Sequence, residues 1–489
     1  MFDPKMFENL GRGGVASGAQ QMEVGALAEL NKALTAGYGT DVSTLTGGSA
    51  FRIQSLDKTM QSTIQENKHF RLFNELTKMP AGATVDEWTE QSGVGGFLGG
   101  STNTETGNIA QSTGSYARRV GLVKYLMTQR QVSLVATLGN NIVSAEAQEA
   151  QNGAKELLTN AEYLCFGGDS AVVPTEFDGI YAQLVAGVAA GQVDSGNILD
   201  ANAQSLASIN LVNKAASQVS RRDNFGTPTH IFMSQQVQAD FDTGLDPAFR
   251  VSLNNVPNGG VSLGSPVVGI RTSWGDIATM NDVFVDDGDQ QTPFEVQYAA
   301  IATANASLQP ANVTGAMATD TASNFGALQA GNYYYLVAGV NNAGQSTGFV
   351  TTQQAIAAGQ KCTLTITASA GGQETGYAIY RGRLNGTNAA SDMRLCARIA
   401  KAGATSTYID RNTDIPGTSK AYILNMSASD HAIAWRQLLP MLKFPLYPTA
   451  SAVIPWAQLM FGYLRITKRR QHAVVKNILP NGAKWRPFN

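Results

Sequence analysis

SGVGGFLGGSTNTETGN (Ser92–Asn108), followed closely by YARRVGLVKYLMTQRQVSLVAT (Tyr116–Thr137), decides the architecture of this chain. An ordinary strand runs about 5–6 residues. At about 3.3 Å per residue the second stretch, fully extended, would reach roughly 70 Å. A compact domain does not house a strand of that length. With Gly95, Gly96, Gly99 and Gly100 at its tip, the segment predicts a hairpin thrown out across a neighbouring subunit. Val120, Leu122, Leu126, Val132 and Leu134 share one face of the second strand with Lys124, Thr128 and Arg130. That mixture suits a strand whose two faces meet different neighbours. Arg118, Arg119, Lys124 and Arg130 crowd cations along it, so they are expected at subunit boundaries, opposite carboxylates of adjacent chains.

A helix is predicted immediately afterwards, from Val143 to Phe166. Val143, Ala147, Ala150, Ala154, Leu157, Ala161 and Leu164 repeat at alternating steps of four and three, a narrow seam along about 35 Å of helix. Glu146, Glu149, Lys155 and Glu162 are placed away from it. The small residues of the seam allow a sheet or another backbone to approach closely.

Composition also points to assembly. Of the 489 residues only 15% are charged, against about 25% in a typical soluble protein. Ser, Thr, Asn, Gln and 50 glycines replace the missing charge. A subunit that shares much of its surface with copies of itself does not need a coat of Lys and Glu. The net charge of −2 gives no bulk attraction to nucleic acid. Three cysteines, an odd number, argue against a secreted disulfide scaffold, and Cys165, Cys362 and Cys396 are expected as free buried thiols. MFDPKMFENLGRGG carries Asp3 and Glu8 without an apolar core. No signal peptide is expected, nor any leader or scaffolding segment removed ahead of Met1. The apolar stretch Ala432–Leu464 is interrupted by Arg436, Lys443 and prolines, so no membrane span is expected.

Five regions follow: an arm with short helices (1–80), the extended loop (81–140), the helix region (141–175), a mixed region, and an all-β module. Within the arm, Gln54–Leu76 has helical spacing that stops at Met79-Pro80. In the mixed region helices are predicted over Phe177–Ala189 and Asn202–Ser220. A buried strand, Pro228–Ser234, leads into a short helix through Phe241, and a strand pair within Val267–Val285 turns at Trp274-Gly275. From Asn324 to Tyr422, short alternating strands with glycine turns have the spacing of a β-sandwich, bounded by linker-like sequence on both sides. A helix at Asp430–Leu442 and a strand pair near Trp456–Ile478 close the chain.

The sequence holds no His-Glu-x-x-His, no Cys-x-x-Cys, no Gly-x-Ser-x-Gly and no phosphate loop, and its four histidines are scattered. No enzyme, cofactor or metal site is expected. GRGGVASG (Gly11–Gly18) lacks the preceding strand of a phosphate cradle. DFDTGLD (Asp240–Asp246) and DDGD (Asp286–Asp289) lack calcium-loop spacing and are read as turns. Lys468, Arg469 and Arg470 in TKRRQHAVVK alternate like a strand and are expected at a subunit contact or a solvated face.

LNKALTAGYGTDVSTLTGGSAFRIQSLDKTM (Leu30–Met60), LCFGGDSAVVPTEFDGIYAQL (Leu164–Leu184), HIFMSQQVQADF (His230–Phe241), GIRTSWGDIATMNDVFV and PWAQLMFGYLRITKRRQHAVVKNI resemble the major capsid protein family of tailed double-stranded DNA bacteriophages. The resemblance covers nearly the whole chain outside the β module. It implies an α+β, tailed-phage major capsid fold. The parts would be an N-terminal arm (1–80), an extended β-hairpin loop (81–140), a peripheral domain with a spine helix (141–175 and 456–489) and an axial domain (176–304 and 426–455). An immunoglobulin- or fibronectin-like sandwich (305–425) would be inserted on the outer face. It further implies hexamers and pentamers in an icosahedral shell, non-specific contact with packaged double-stranded DNA, and portal, scaffold and cement partners. The location would be the virion, after assembly in the host bacterial cytoplasm, with no membrane contact. An encapsulin-like nanocompartment and a tail or fibre adhesin are the alternatives.

Overall fold

The structure is a computed structural model; it describes residues 70–138, 144–222, 224–244, 267–285, 307–448 and 451–488. The expected helix Gln54–Leu76 lies mostly outside them, as do GRGGVASG and DDGD. The described end of that helix is one turn, Leu72–Glu75. Met79-Pro80 does not merely end it: Thr77–Pro80 is a strand, parallel to Ala434–Gln437.

This entry strand opens a four-stranded sheet. Its order is Thr77–Pro80, Ile433–Pro445, Val453–Ile466 and Lys124–Ser133. The helix expected at Asp430–Leu442 is therefore a correction. Ala432 to Trp435 are all buried, and the run pairs with Val453–Ile466 over thirteen residues. Pro440 falls where the register slips between Leu439 and Leu442, a bulge that accommodates the missing N–H.

The spine helix, Ala145–Gly167, lies across this sheet, with Ser144 as its N-cap. It approaches at Gly153, where a Cβ would stand 2.0 Å from Gln458 Oε1. The Gln458 amide donates to Ala150 O at 2.8 Å. Leu157 and Ala161 lie on the buried face as expected, but Ala147 is exposed, and Glu162, Cys165 and Phe166 complete the seam.

The extended segment is two strands rather than one. Ser115–Leu122 pairs with Val85–Gly93 as a hairpin, whereas Lys124–Ser133 belongs to the four-stranded sheet and ends in a helical turn, Leu134–Leu138. Val123 makes the break. It is 4% exposed, and its N–H donates to Thr84 O at 2.9 Å. A buried pin between two strands shortens the reach from about 70 Å to the roughly 30 Å of the hairpin arms plus their tip.

A six-stranded mixed sheet has the order Ile198–Asp200, Ala473–Ile478, Ser419–Leu424, His230–Met233, Gly275–Asn281 and Gly269–Thr272. The helices Ile209–Val219 and Gln235–Gly244 share its core. Residues 312–410 form a three-stranded sheet (Asn312–Thr319, Gln360–Thr367, Thr405–Asp410) and a five-stranded sheet centred on Tyr335–Asn341 and Gly376–Gly382. Val313, Leu364 and Ile366 of one share a core with Tyr335, Val337, Tyr377 and Ile379 of the other. Ser419–Leu424, expected in this module, instead pairs with Ile231–Met233 and Ala473–Val475. The outer side of the five-stranded sheet is also covered: Val172 and Val173, just after the spine helix, pack on Leu336, Ala338, Tyr380 and Met393. Among the described residues no helix is long and apolar enough to cross a membrane.

Candidate assembly surface at the hairpin

His472 is fully buried and pushed down to about 4 by that burial. His230 is half-buried, and burial lowers its pKa too. Cys165, Cys362 and Cys396 are free. Asp240 and Asp242 spend oxygens on the N–H groups of Asn481 and Val267. Among the described residues no cluster of three His, Cys, Asp or Glu could hold a metal ion.

The surface that calls for a partner is the hairpin. Its tip turns through Gly95, Gly96 and Gly99 at φ of +88°, +73° and +82°, the left-handed region that L side chains avoid. At Gly95 a Cβ would also lie 2.5 Å from Thr113 O. Gly100 differs: it makes room for the ring of Phe97. The tip has no core of its own. Val94, Phe97, Leu98 and Ile109 are 75–93% exposed. Down the arms Val85, Tyr116, Val120 and Leu122 are exposed as well, and Tyr125, Met127, Leu442 and Phe444 continue the apolar surface on the four-stranded sheet. Exposed apolar surface of this kind is characteristic of interaction sites.

The hairpin base is fixed by charge. Asp86, on the first arm, accepts from Arg436 Nε at 2.9 Å, Tyr463 Oη at 2.6 Å and Arg465 Nη1 at 3.2 Å. Burial pushes its carboxyl up, but the hydrogen bonds from Tyr463 and Arg436 and the two guanidinium charges outweigh it and hold the pKa below the usual value. Arg465 also lies over the Trp88 ring, and Gly121 on the second arm has room for no Cβ, because the Tyr463 ring would be 2.3 Å away.

Most of the expected boundary cations find partners within the chain. Arg118 pairs with Glu87, and Arg119 with Glu90 at 3.0 Å, both across the hairpin. Arg130 bridges to Glu149 and Glu156 of the spine helix. Lys124 donates to Pro174 O, Lys468 pairs with Asp430 at 3.5 Å, and Arg470 donates to Gln192 O. Each of these cations thus has a partner within the chain as well. Arg469 is 8% exposed and joins Glu90 at 2.7 Å, so it is an internal group. The sequence did carry this signal: VDEWTEQ places Asp86, Glu87 and Glu90 on a strand that must face Arg118 and Arg119 once the hairpin closes.

No family model matches the chain. It is 25% identical over 464 residues to the major capsid proteins of Staphylococcus phage S25-3 and Staphylococcus phage K, covering 91% of this chain and 94% of each. The chain is a relative of phage major capsid proteins. The putative major capsid protein of Enterococcus phage phiEF24C is similar to the same extent, 25% over 468 residues, with 92% and 94% covered. Among solved structures, the capsid of a native GTA particle aligns with 90% of this chain and 99% of its own at 8% identity and a TM-score of 0.45. Mycobacterium phage Bobi aligns at 11% identity, 88% and 97% coverage and a TM-score of 0.41.

Proposed function

We propose that this chain is the structural subunit of a phage capsid shell and acts by self-association. The full-length similarity to major capsid proteins supports the shell. The hairpin, with its apolar tip left uncovered by the chain's own fold, is the observation that carries the mode of assembly. Gly95, Gly96, Gly99 and Gly100 shape a tip that docks on a neighbour, while the ion-paired base around Asp86 sets the angle at which it leaves the body. Arg118, Lys124, Arg130, Lys468 and Arg470 line or flank the same boundary and are available to a neighbour beyond their internal bonds.

The finer reading is a closed icosahedral shell of hexamers and pentamers around double-stranded DNA, found in the virion and assembled in the host bacterial cytoplasm. Portal, scaffold and cement proteins are its proposed partners. The module of residues 312–410 is proposed as an immunoglobulin-like outer decoration that stabilises the shell. The role is structural rather than catalytic. Electron microscopy of the purified recombinant chain tests the proposal: closed shells support it, and tubes, fibres or dispersed monomers overturn it. Shells that form without phage DNA and load a protein cargo instead would favour a nanocompartment.

A further inference from the structure

Glu162 lies on the buried face of the spine helix, although the sequence pattern places it away from the apolar seam. Its carboxylate is fully buried. Both oxygens are taken by backbone from another part of the chain: Oε1 accepts from Leu72 N–H at 2.7 Å and Oε2 from Phe73 N–H at 2.8 Å. These N–H groups open the helical turn Leu72–Glu75, where no carbonyl of the turn can reach them.

Asp282 stands beside Glu162, just after the strand Gly275–Asn281, and is 1% exposed. Its Oδ1 accepts from Phe284 N–H at 2.9 Å, and its Oδ2 has no partner. An orphaned carboxylate oxygen facing a second buried carboxyl is satisfied by a shared proton. The charged and titratable groups around the pair are few. From the segment entering at Phe70, the exposed Arg71 acts on Asp282. From the spine helix itself, Cys165 faces both acids, and burial followed by their charge pushes its thiol up.

We propose that Glu162 and Asp282 form a proton-operated latch: sharing one proton they hold the strap Phe70–Leu76 against the spine helix, and losing it they let the strap go. The strap is well placed to matter. Phe73 meets the Trp435 ring edge-on at 5.1 Å, Phe70 stacks on Phe284, and the chain runs directly into the entry strand Thr77–Pro80. Releasing it removes the parallel edge of the four-stranded sheet. The latch is independent of the shell reading and belongs to the single subunit.

The sign follows from where the proton is held. Burial, then the hydrogen bond and charge of Asp282, raise Glu162 from the ordinary carboxylate range to about 9. Asp282 is raised too, chiefly by burial. A group that binds its proton more tightly when folded contributes fully below its unfolded pKa, and the contribution fades as pH climbs to the folded one. Above the ordinary carboxylate range the opening equilibrium of the strap therefore rises with pH, by at most about tenfold per pH unit.

Trypsin cleavage at Arg71–Leu72 reads that opening. The full-length, unassembled chain is digested from pH 6.5 to 9, and each rate is divided by that of a free peptide containing the same bond. The wild type is expected to climb with pH, by at most about tenfold per unit. In Asp282→Asn the carboxamide donates to an ionised Glu162, so the strap stays closed and the profile is flat and slow. In Glu162→Gln one backbone N–H loses its acceptor, so cleavage is fast at every pH. A flat wild-type profile overturns the latch, as does an Asp282→Asn profile with the wild-type slope. These two measurements decide the matter even if Glu162→Gln does not fold.

Discussion

Replacing Asp86 with alanine removes the carboxylate on which the hairpin base is built. Arg436 and Arg465 then face each other with no counter-charge between them, and Tyr463 Oη loses its acceptor. Breaking a buried ion pair by deleting one partner costs about 3–5 kcal/mol. The side chains of Arg436 and Arg465 keep 13% and 12% exposure, so water relieves part of this and the lower end, about 3 kcal/mol, applies. With an unfolding entropy of about 2.1 cal/mol/K per residue over the roughly 370 described residues, that becomes a fall in Tm of about 4 °C. Asp86→Asn keeps an acceptor and loses the charge, and should fall about half as far. Because the Asp86 pKa is depressed, its contribution is present above the ordinary carboxylate range and fades as pH drops below it, so wild type and Asp86→Asn should converge below about pH 4. Calorimetry on unassembled subunits gives the Tm, and hydrogen exchange over Val85–Leu122 reports the hairpin. A shift under about 1 °C with unchanged exchange would refute the anchoring role.

Deleting the tip, Gly95–Ser112, should leave a folded subunit that forms no stable shells; normal particles with unchanged thermal stability in electron microscopy and calorimetry would refute this. Arg381→Met strands the Asp410 carboxylate, 1% exposed and otherwise 2.6 Å from the guanidinium, and should destabilise the sandwich module by about 3–5 kcal/mol. Adding Asp410→Asn, which removes the stranded charge and keeps one acceptor oxygen where Tyr335 Oη and Asn412 N–H donate, should recover part of it in the same denaturation assay. Replacing 312–411 with a Gly/Ser linker should yield shells without surface knobs and with lower stability, because Val172 and Val173 lose their cover, at about 1.5–3 kcal/mol for each such side chain. Loss of inner-surface density instead would reverse the proposed placement.

Where the sequence pattern is local, it is legible. The spine helix is bounded by Ser144 and Gly168, within two residues of the expected span, and the strands at Gly269–Thr272 and Gly275–Asn281 turn at Trp274-Gly275 as their residues suggest. The alternating strands of the module bury Tyr333, Tyr335 and Tyr377 between its two sheets, and Tyr380 on the other side of the five-stranded sheet. What escaped depends on partners distant in sequence. Ile433–Pro445 has helical spacing for a short way, but its neighbours are residues 77–80 and 453–466, which no local pattern announces. Glu162 reads as solvated until Leu72 and Phe73, 90 and 89 positions earlier, are placed on it. The cations of the second hairpin strand are legible as a cluster and so are the acids of VDEWTEQ, whereas which acid meets which cation depends on the register.

The four-stranded sheet joins Thr77–Pro80 to Ala434–Gln437, about 350 residues later in synthesis. The six-stranded sheet likewise waits for Ala473–Ile478 to seat Ser419–Leu424. At about 5–20 residues per second, the entry strand emerges from the ribosome roughly 20–70 s before its partner exists. A nascent chain can fold the sandwich module early, but neither sheet of the body can close until residues 453–466 and 473–478 have emerged. A chain whose synthesis has not passed residue 466 therefore has no finished four-stranded sheet. Chain order itself therefore delays the closing of both sheets relative to the sandwich module.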